Sequence, residues 1–146
     1  SHIGVRTSMR NQLPCLVEQI EATGQMVRVT LGLAGNARLV SRITKASAEL
    51  LGLKKNLAVL ALCKATAVRV EAPAGSETPL TTASGSPALA GRVTRISRGA
   101  AGDEVSLQLD GALQLVGFAA AGNGLKNKAR VIALIDESAV VIALAA

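Results

Sequence analysis

Aromatic residues are almost missing from this sequence. Phe118 is the single one among 146 residues, and Trp and Tyr are absent. Folds that bind single-stranded nucleic acid stack bases on aromatic rings, so this shortage argues against that function. It also leaves packing to Val, Leu, Ile and Ala, which suits small, tightly curled β structure. The one histidine, His2, lies in Ser1-His2, which reads as the remnant of a cleaved tag. With no usable imidazole, a Ser–His or Cys–His nucleophile is excluded. No cluster of residues has metal-ligand spacing. Cys15 and Cys63 are too few for a disulfide framework and fit a reduced, cytoplasmic setting. There is no signal peptide and no apolar run of about 18 residues, so no membrane span is expected. The glycine-rich stretch 117–124 lacks the Gly-Lys-Ser/Thr ending of a phosphate loop. An enzyme is not expected.

Basic charge is present, and it is unevenly spread. Residues 1–72 carry ten Lys/Arg against four Asp/Glu, whereas residues 83–146 carry six against five. A basic first half points to an anionic partner for that half. Period-two alternation predicts strands over 13–20, 26–33 and 37–43, with a hairpin at Ala34-Gly35-Asn36. Pro14 marks a strand edge. Thr44 to Leu51 reads as a short helix, with Thr44 as its N-cap and Gly52 past its end. An apolar strand covers 57–63, Lys64-Ala65-Thr66 interrupts it, and a last strand resumes over 67–70. Residues 73–87, rich in Pro, Gly, Ser and Thr, form a linker.

The first half then comes round again. Leu13, Val17 and Ile20 recur as Leu89, Val93 and Ile96; Gly24 to Leu31 recurs as Gly102 to Leu109; Gly52 to Leu62 recurs as Gly124 to Leu134. A repeat of about 70 residues is too long for a solenoid unit. It predicts two tandem OB-like five-stranded Greek-key barrels, all-β, each with at most one short helix. The organisation expected is a remnant over 1–6, a first repeat over 7–72, the linker over 73–87 and a second repeat over 88–146. The copies differ where polar groups gather. Ser8-Met9-Arg10-Asn11 becomes Ser84-Gly85-Ser86-Pro87, Lys64-Ala65-Thr66 becomes Asp136-Glu137-Ser138, and the Thr44–Ser47 segment becomes an Ala/Gly run near 118–122. Scaffold positions were kept and the cationic cluster was not, which favours a functional role for the cluster in the first copy.

That cluster suits a small tetrahedral dianion. Arg10 offers a fork of N–H donors and Lys64 a compact cation. Ser8, Thr44 and Ser47 offer hydroxyls, and the first helical turn, including Ala48, offers backbone amides. Asn11 stands beside them, read more readily as a turn residue than as a ligand. None of the three segments contains a carboxylate. A donor-only site favours sulfate, molybdate or tungstate over hydrogen phosphate, whose proton would lack an acceptor. Plainer roles stand beside this one: Thr44 and Ser47 as caps, Arg10 and Lys64 as solvated surface cations.

The same residues carry a resemblance. Thr7-Ser8-Met9-Arg10-Asn11-Gln12, then Ile43-Thr44 with Ser47 and Leu51-Gly52-Leu53, then Lys64-Ala65 with Val68, resemble the three motifs of the Mop/TOBE molybdate-binding family. The usual Pro-Trp of its last motif is replaced here by Thr66-Ala67. The resemblance implies OB-like barrels, a homodimer, and molybdate or tungstate sites between protomers. Ser8, Arg10 and Lys64 would lie on one side of such a site and Thr44 and Ser47 on the other. It further implies the sensing domain of a molybdate-responsive transcriptional regulator. DNA would then be contacted only through a winged-helix domain absent from this chain, which would be a piece of a longer protein. A stand-alone molbindin for storage and the regulatory domain of a molybdate transporter ATPase are the alternatives.

Overall fold

The computed structural model describes residues 7–73 and 85–144. The expected tag remnant and most of the expected linker, with Ser84, lie outside the described residues. Ten strands are described in chain order: β1 (Asn11–Thr23), β2 (Met26–Gly32), β3 (Arg38–Thr44), β4 (Ala58–Cys63), β5 (Val68–Glu71), β6 (Leu89–Ser97), β7 (Asp103–Leu109), β8 (Gln114–Ala119), β9 (Arg130–Ile135) and β10 (Val141–Ala143). One helix, α1 (Lys45–Leu51), follows β3. Single 3-10 turns at Ala65–Ala67 and Glu137–Ala139 precede β5 and β10.

The strands make two five-stranded units, as the duplicated pattern predicts, one a sheet and the other a closed barrel. The sheet has the order β10-β4-β1-β2-β3, and the closed barrel has the order β5-β8-β7-β6-β9. Each unit thus takes four strands from one repeat and its fifth from the other. Strand β5 runs antiparallel to β9, with Val68 opposite Ile135, and β10 runs antiparallel to β4, with Val141 opposite Leu62. The exchange leaves a packing signature at Gly117. A Cβ there would sit 2.7 Å from Val68 Cγ1 and 2.8 Å from the Val68 carbonyl oxygen, so only glycine lets β5 approach β8 this closely.

The alternation read from the sequence is the alternation of burial. Val27, Val29 and Leu31 in β2, and Val105, Leu107 and Leu109 in β7, face the interior. Both repeats carry a register shift at the aligned place, Val17/Gln19 in β1 and Val93/Arg95 in β6, which bends the long first strand around its core. Pro14 lies in the part of β1 that pairs with β4 alone, because pairing with β2 begins only at Leu16. That is the local edge a residue without an N–H requires. In β3 the simple alternation fails: Leu39, Val40 and Ser41 are all buried in succession. The outer face is covered by the second repeat, whose Val140 carbonyl accepts the Ser41 Oγ–H at 2.7 Å.

Candidate functional site

Arg10 and Lys64 are brought together by strand register. Asn11 at the start of β1 pairs with Cys63 at the end of β4, so the residues one step outside each strand face one another across the same end of the sheet. Lys64 is exposed and, among the described residues, has no carboxylate partner. Ser8 is exposed two residues before Arg10. Asn11, by contrast, is 2% exposed. Its Nδ2 donates to the Val116 carbonyl and its Oδ1 accepts from the Val116 N–H, both at 2.8 Å. The expectation of a turn residue gives way to a clip between repeats, with the side-chain amide held by the backbone of β8 and bonded to Cys63 as well.

Thr44 and Ser47 lie elsewhere. Thr44 pairs with Met26, and Met26 pairs with Thr23, the last residue of β1. Measured along β1, that is roughly 40 Å from Asn11 at about 3.3 Å per residue. The two groups thus stand at opposite ends of the bent strand β1. Local chemistry makes the Thr44 end as the sequence predicts. Thr44 Oγ1 caps α1 by accepting the Ser47 N–H at 3.1 Å, and it lies 2.9 Å from Ser47 Oγ. Gly52, at φ 64°, ends the helix in the left-handed conformation. The capping bond and a bond from the Lys45 N–H to the Gln25 carbonyl at 2.8 Å engage two of the first-turn amides. The helix start therefore has fewer free amides than the sequence reading assumed. Ala48 is half-buried in that turn.

The exchange of strands decides what each half-site faces within its own chain. The Ala65–Ala67 turn beside Lys64 packs on β8. There a cleft of about 540 Å³ is lined by Thr66, by Asp136, and by Phe118, Ala119 and Ala120 of the run that replaced the hydroxyl segment. On the other side, Thr44 and Ser47 line a cleft of about 430 Å³ with Arg42, Ser138 and Val140. Asp136, aligned with Lys64, lines the first of these clefts and accepts bonds from the Ser138 N–H and Oγ–H at 2.9 and 2.8 Å. These bonds, and the Arg42 charge more weakly, hold its carboxyl below the ordinary range. Each intact half of the polar cluster meets the degenerate half of the other repeat.

Two carboxylates belong to this geometry that motif reading passed over. Glu104, the second residue of β7, accepts from Arg10 Nη1 at 2.8 Å. The three polar segments hold no carboxylate, but the fold brings one to them, which corrects the expectation of a donor-only cluster. Glu137 is 2% exposed and is gripped by Arg28 Nε and Nη2 at 3.0–3.3 Å and by Ser86 Oγ at 3.0 Å. Burial pushes its carboxyl up, yet the Arg28 and Ser86 bonds and the Arg28 and Arg42 charges outweigh burial and leave it below the usual range. The only available signal was in the alignment of repeats: Glu104 aligns with Met26 and Glu137 with Ala65. Both cysteine thiols are buried, free and inert. Burial pushes Cys15 up to about 12 and Cys63 up to about 11.

Comparison with known proteins agrees with this architecture. The TOBE domain family model matches residues 7–70. The cytoplasmic molybdate-binding protein ModG, in a crystal form with molybdate bound, superposes with a TM-score of 0.86 at 27% identity. The superposition covers 97% of this chain and 100% of ModG. The first repeat thus matches the TOBE domain family, and the whole chain is similar to ModG. No curated protein sequence matches it. The second repeat lies outside the family match and keeps the scaffold, with the polar motif of the first replaced.

Proposed function

We propose that this chain is a cytoplasmic protein that binds molybdate, or tungstate, as an intact tetrahedral dianion, and performs no chemistry on it. Ser8, Arg10 and Lys64 supply one half of the site. Thr44, Ser47 and the Ala48 turn supply the other half from a second copy of the chain, and Asn11 positions Arg10 through its grip on β8. The observation that carries the reading is the split itself. Two chemically matched half-sites stand exposed, far apart along one sheet, and each lies next to the degenerate half of the other repeat. Two cations offset one dianion, and hydroxyl and amide donors complete its coordination. Because the likeness to ModG spans the whole of that chain, we favour a protein that binds and holds the oxyanion over the sensing domain of a transcriptional regulator.

Isothermal titration with molybdate, tungstate, sulfate and phosphate tests this. Tight binding is expected for the first two, weak binding for sulfate and negligible binding for phosphate. Arg10→Ala or Lys64→Ala should cost about 2–4 kcal/mol of binding, by removing one of two charges that face the dianion. If both variants bind molybdate like the parent, the site lies elsewhere. Sedimentation of the parent should show an oligomer in which Thr44→Ala of one copy and Arg10→Ala of another restore one complete site when mixed.

A further inference from the structure

Arg10 does not wait unpaired. Its guanidinium is held at 2.8 Å by the Glu104 carboxylate, which the second repeat supplies from β7. The two side chains are 51% and 34% exposed, and a single hydrogen bond joins them. At the aligned place in the other copy the arrangement is closed. Ser86, which aligns with Arg10, donates to Glu137, and that carboxylate is buried and gripped by Arg28 through two further nitrogens. Both copies thus set a carboxylate of the chain against the position where the polar motif begins. In one it is sealed in. In the other it is solvated, monodentate and free to exchange. Arg10 also borders a cleft of about 500 Å³ lined by Gln12, Gln114 and Pro14 and by no carboxylate, so the guanidinium has room to turn away from Glu104.

Resting on the oxyanion reading above, we propose that Glu104 is the affinity-setting residue of the site. Its carboxylate neutralises Arg10, and the incoming dianion must take its place. The exchange trades one anion for another on the same guanidinium, so Glu104 weakens binding of every dianion and keeps the site from filling with weak competitors such as sulfate. An exposed single-bonded pair contributes little, which puts the expected effect at about two- to fivefold in affinity.

The test is titration of sodium molybdate and sodium sulfate into the full chain at fixed ionic strength, with Glu104→Gln, Arg10→Ala and the double variant. Glu104→Gln should bind both anions about two- to fivefold more tightly. In the Arg10→Ala background, with molybdate carried to millimolar concentration, the same change should have no effect. Glu18→Gln, which removes an equal charge from the Arg38 pair (2.7 Å), controls for net charge and should leave affinity unchanged. Unchanged or weakened binding by Glu104→Gln overturns the proposal, as does equal tightening by Glu18→Gln or persistence of the effect without Arg10. If Arg10→Ala itself binds like the parent, the site assignment fails as well. If Arg10 matters and Glu104 does not, only the present inference falls.

Discussion

Arg28 and Glu137 join the two repeats through a carboxylate with 3% of its side chain exposed and a guanidinium with 42% exposed. That asymmetry makes a sharp prediction. Arg28→Ala leaves the buried carboxylate with only the Ser86 hydroxyl, and an orphaned buried charge costs about 3–5 kcal/mol. Glu137→Gln leaves an arginine that can turn into water and keeps a side chain of the same shape. Its cost is that of weakened hydrogen bonds, about 1–2 kcal/mol. The pH dependence separates the cases further. In the parent the Glu137 carboxyl lies below its usual range, so its contribution is present above the unfolded value of about 4.3 and is lost as pH falls through the folded value. Without Arg28, only the Ser86 bond and the Arg42 charge oppose burial, and the carboxyl rises from its value in the parent. The deficit of Arg28→Ala should then be largest at neutral pH and shrink as pH falls toward about 4. Urea denaturation followed by circular dichroism at pH 7, 5.5 and 4 measures both variants. Equal costs at pH 7, or a deficit in Arg28→Ala that does not change with pH, would refute a buried carboxylate held by this arginine.

Other expectations follow from the same contacts. Asn11→Ala should destabilise the chain by about 2–3 kcal/mol, because the Val116 N–H and carbonyl lose their partners in a part-buried place; thermal denaturation reads this. Gly117→Ala should lower the melting temperature by several degrees, since the new Cβ meets the Val68 backbone, whereas Gly24→Ala meets nothing and pays only for its positive φ. The two thiols, pushed up to about 12 and 11, should resist Ellman's reagent at pH 8 in the folded protein and react at once in urea. Asp103, Asp110 and Asp136 all have carboxyls held below the ordinary range by hydrogen bonds, Arg98 and Arg130 contributing to the first two. Stability from these groups is present above the unfolded carboxylate range and should be lost as pH falls below about 4, which an acid titration of the circular dichroism signal checks.

Much of the fold was legible because its causes are local. Alternation of Val27, Val29 and Leu31, the Thr44 cap and the Gly52 stop each act over a few residues, and each appears where the sequence placed it. The duplication was legible because two copies of one pattern stand in a single chain. What the pattern could not carry is which β4 takes which last strand. The segments Val68–Glu71 and Val141–Ala143 are interchangeable by hydrophobic pattern, and a short apolar strand satisfies either unit. Gly117 was the one residue that recorded the exchange, as a glycine in mid-strand where β5 passes over β8.

The candidate site was legible as a set of residue types and not as a place. Arg10 and Lys64 lie 54 positions apart in the sequence yet face each other, because the start of β1 pairs with the end of β4, Asn11 opposite Cys63. Thr44 follows Arg10 more closely in the chain yet lies at the far end of the same sheet. Once the last strands are exchanged, the Lys64 turn of the first repeat is carried to Ala119, Ala120 and Asp136 of the second, and the hydroxyls of the first are met by Ser138 and Val140. A chain that kept both motifs in both repeats could complete sites within itself. This chain has lost one set, and carboxylates of the second repeat stand against the places where the motif begins. Glu137 is sealed against Ser86, which replaces Arg10 in the second copy. Glu104 stands against Arg10 itself on terms that an oxyanion can contest, so on the proposed reading residue 104, rather than any of the ligands the motif names, is where affinity can be tuned without dismantling the site.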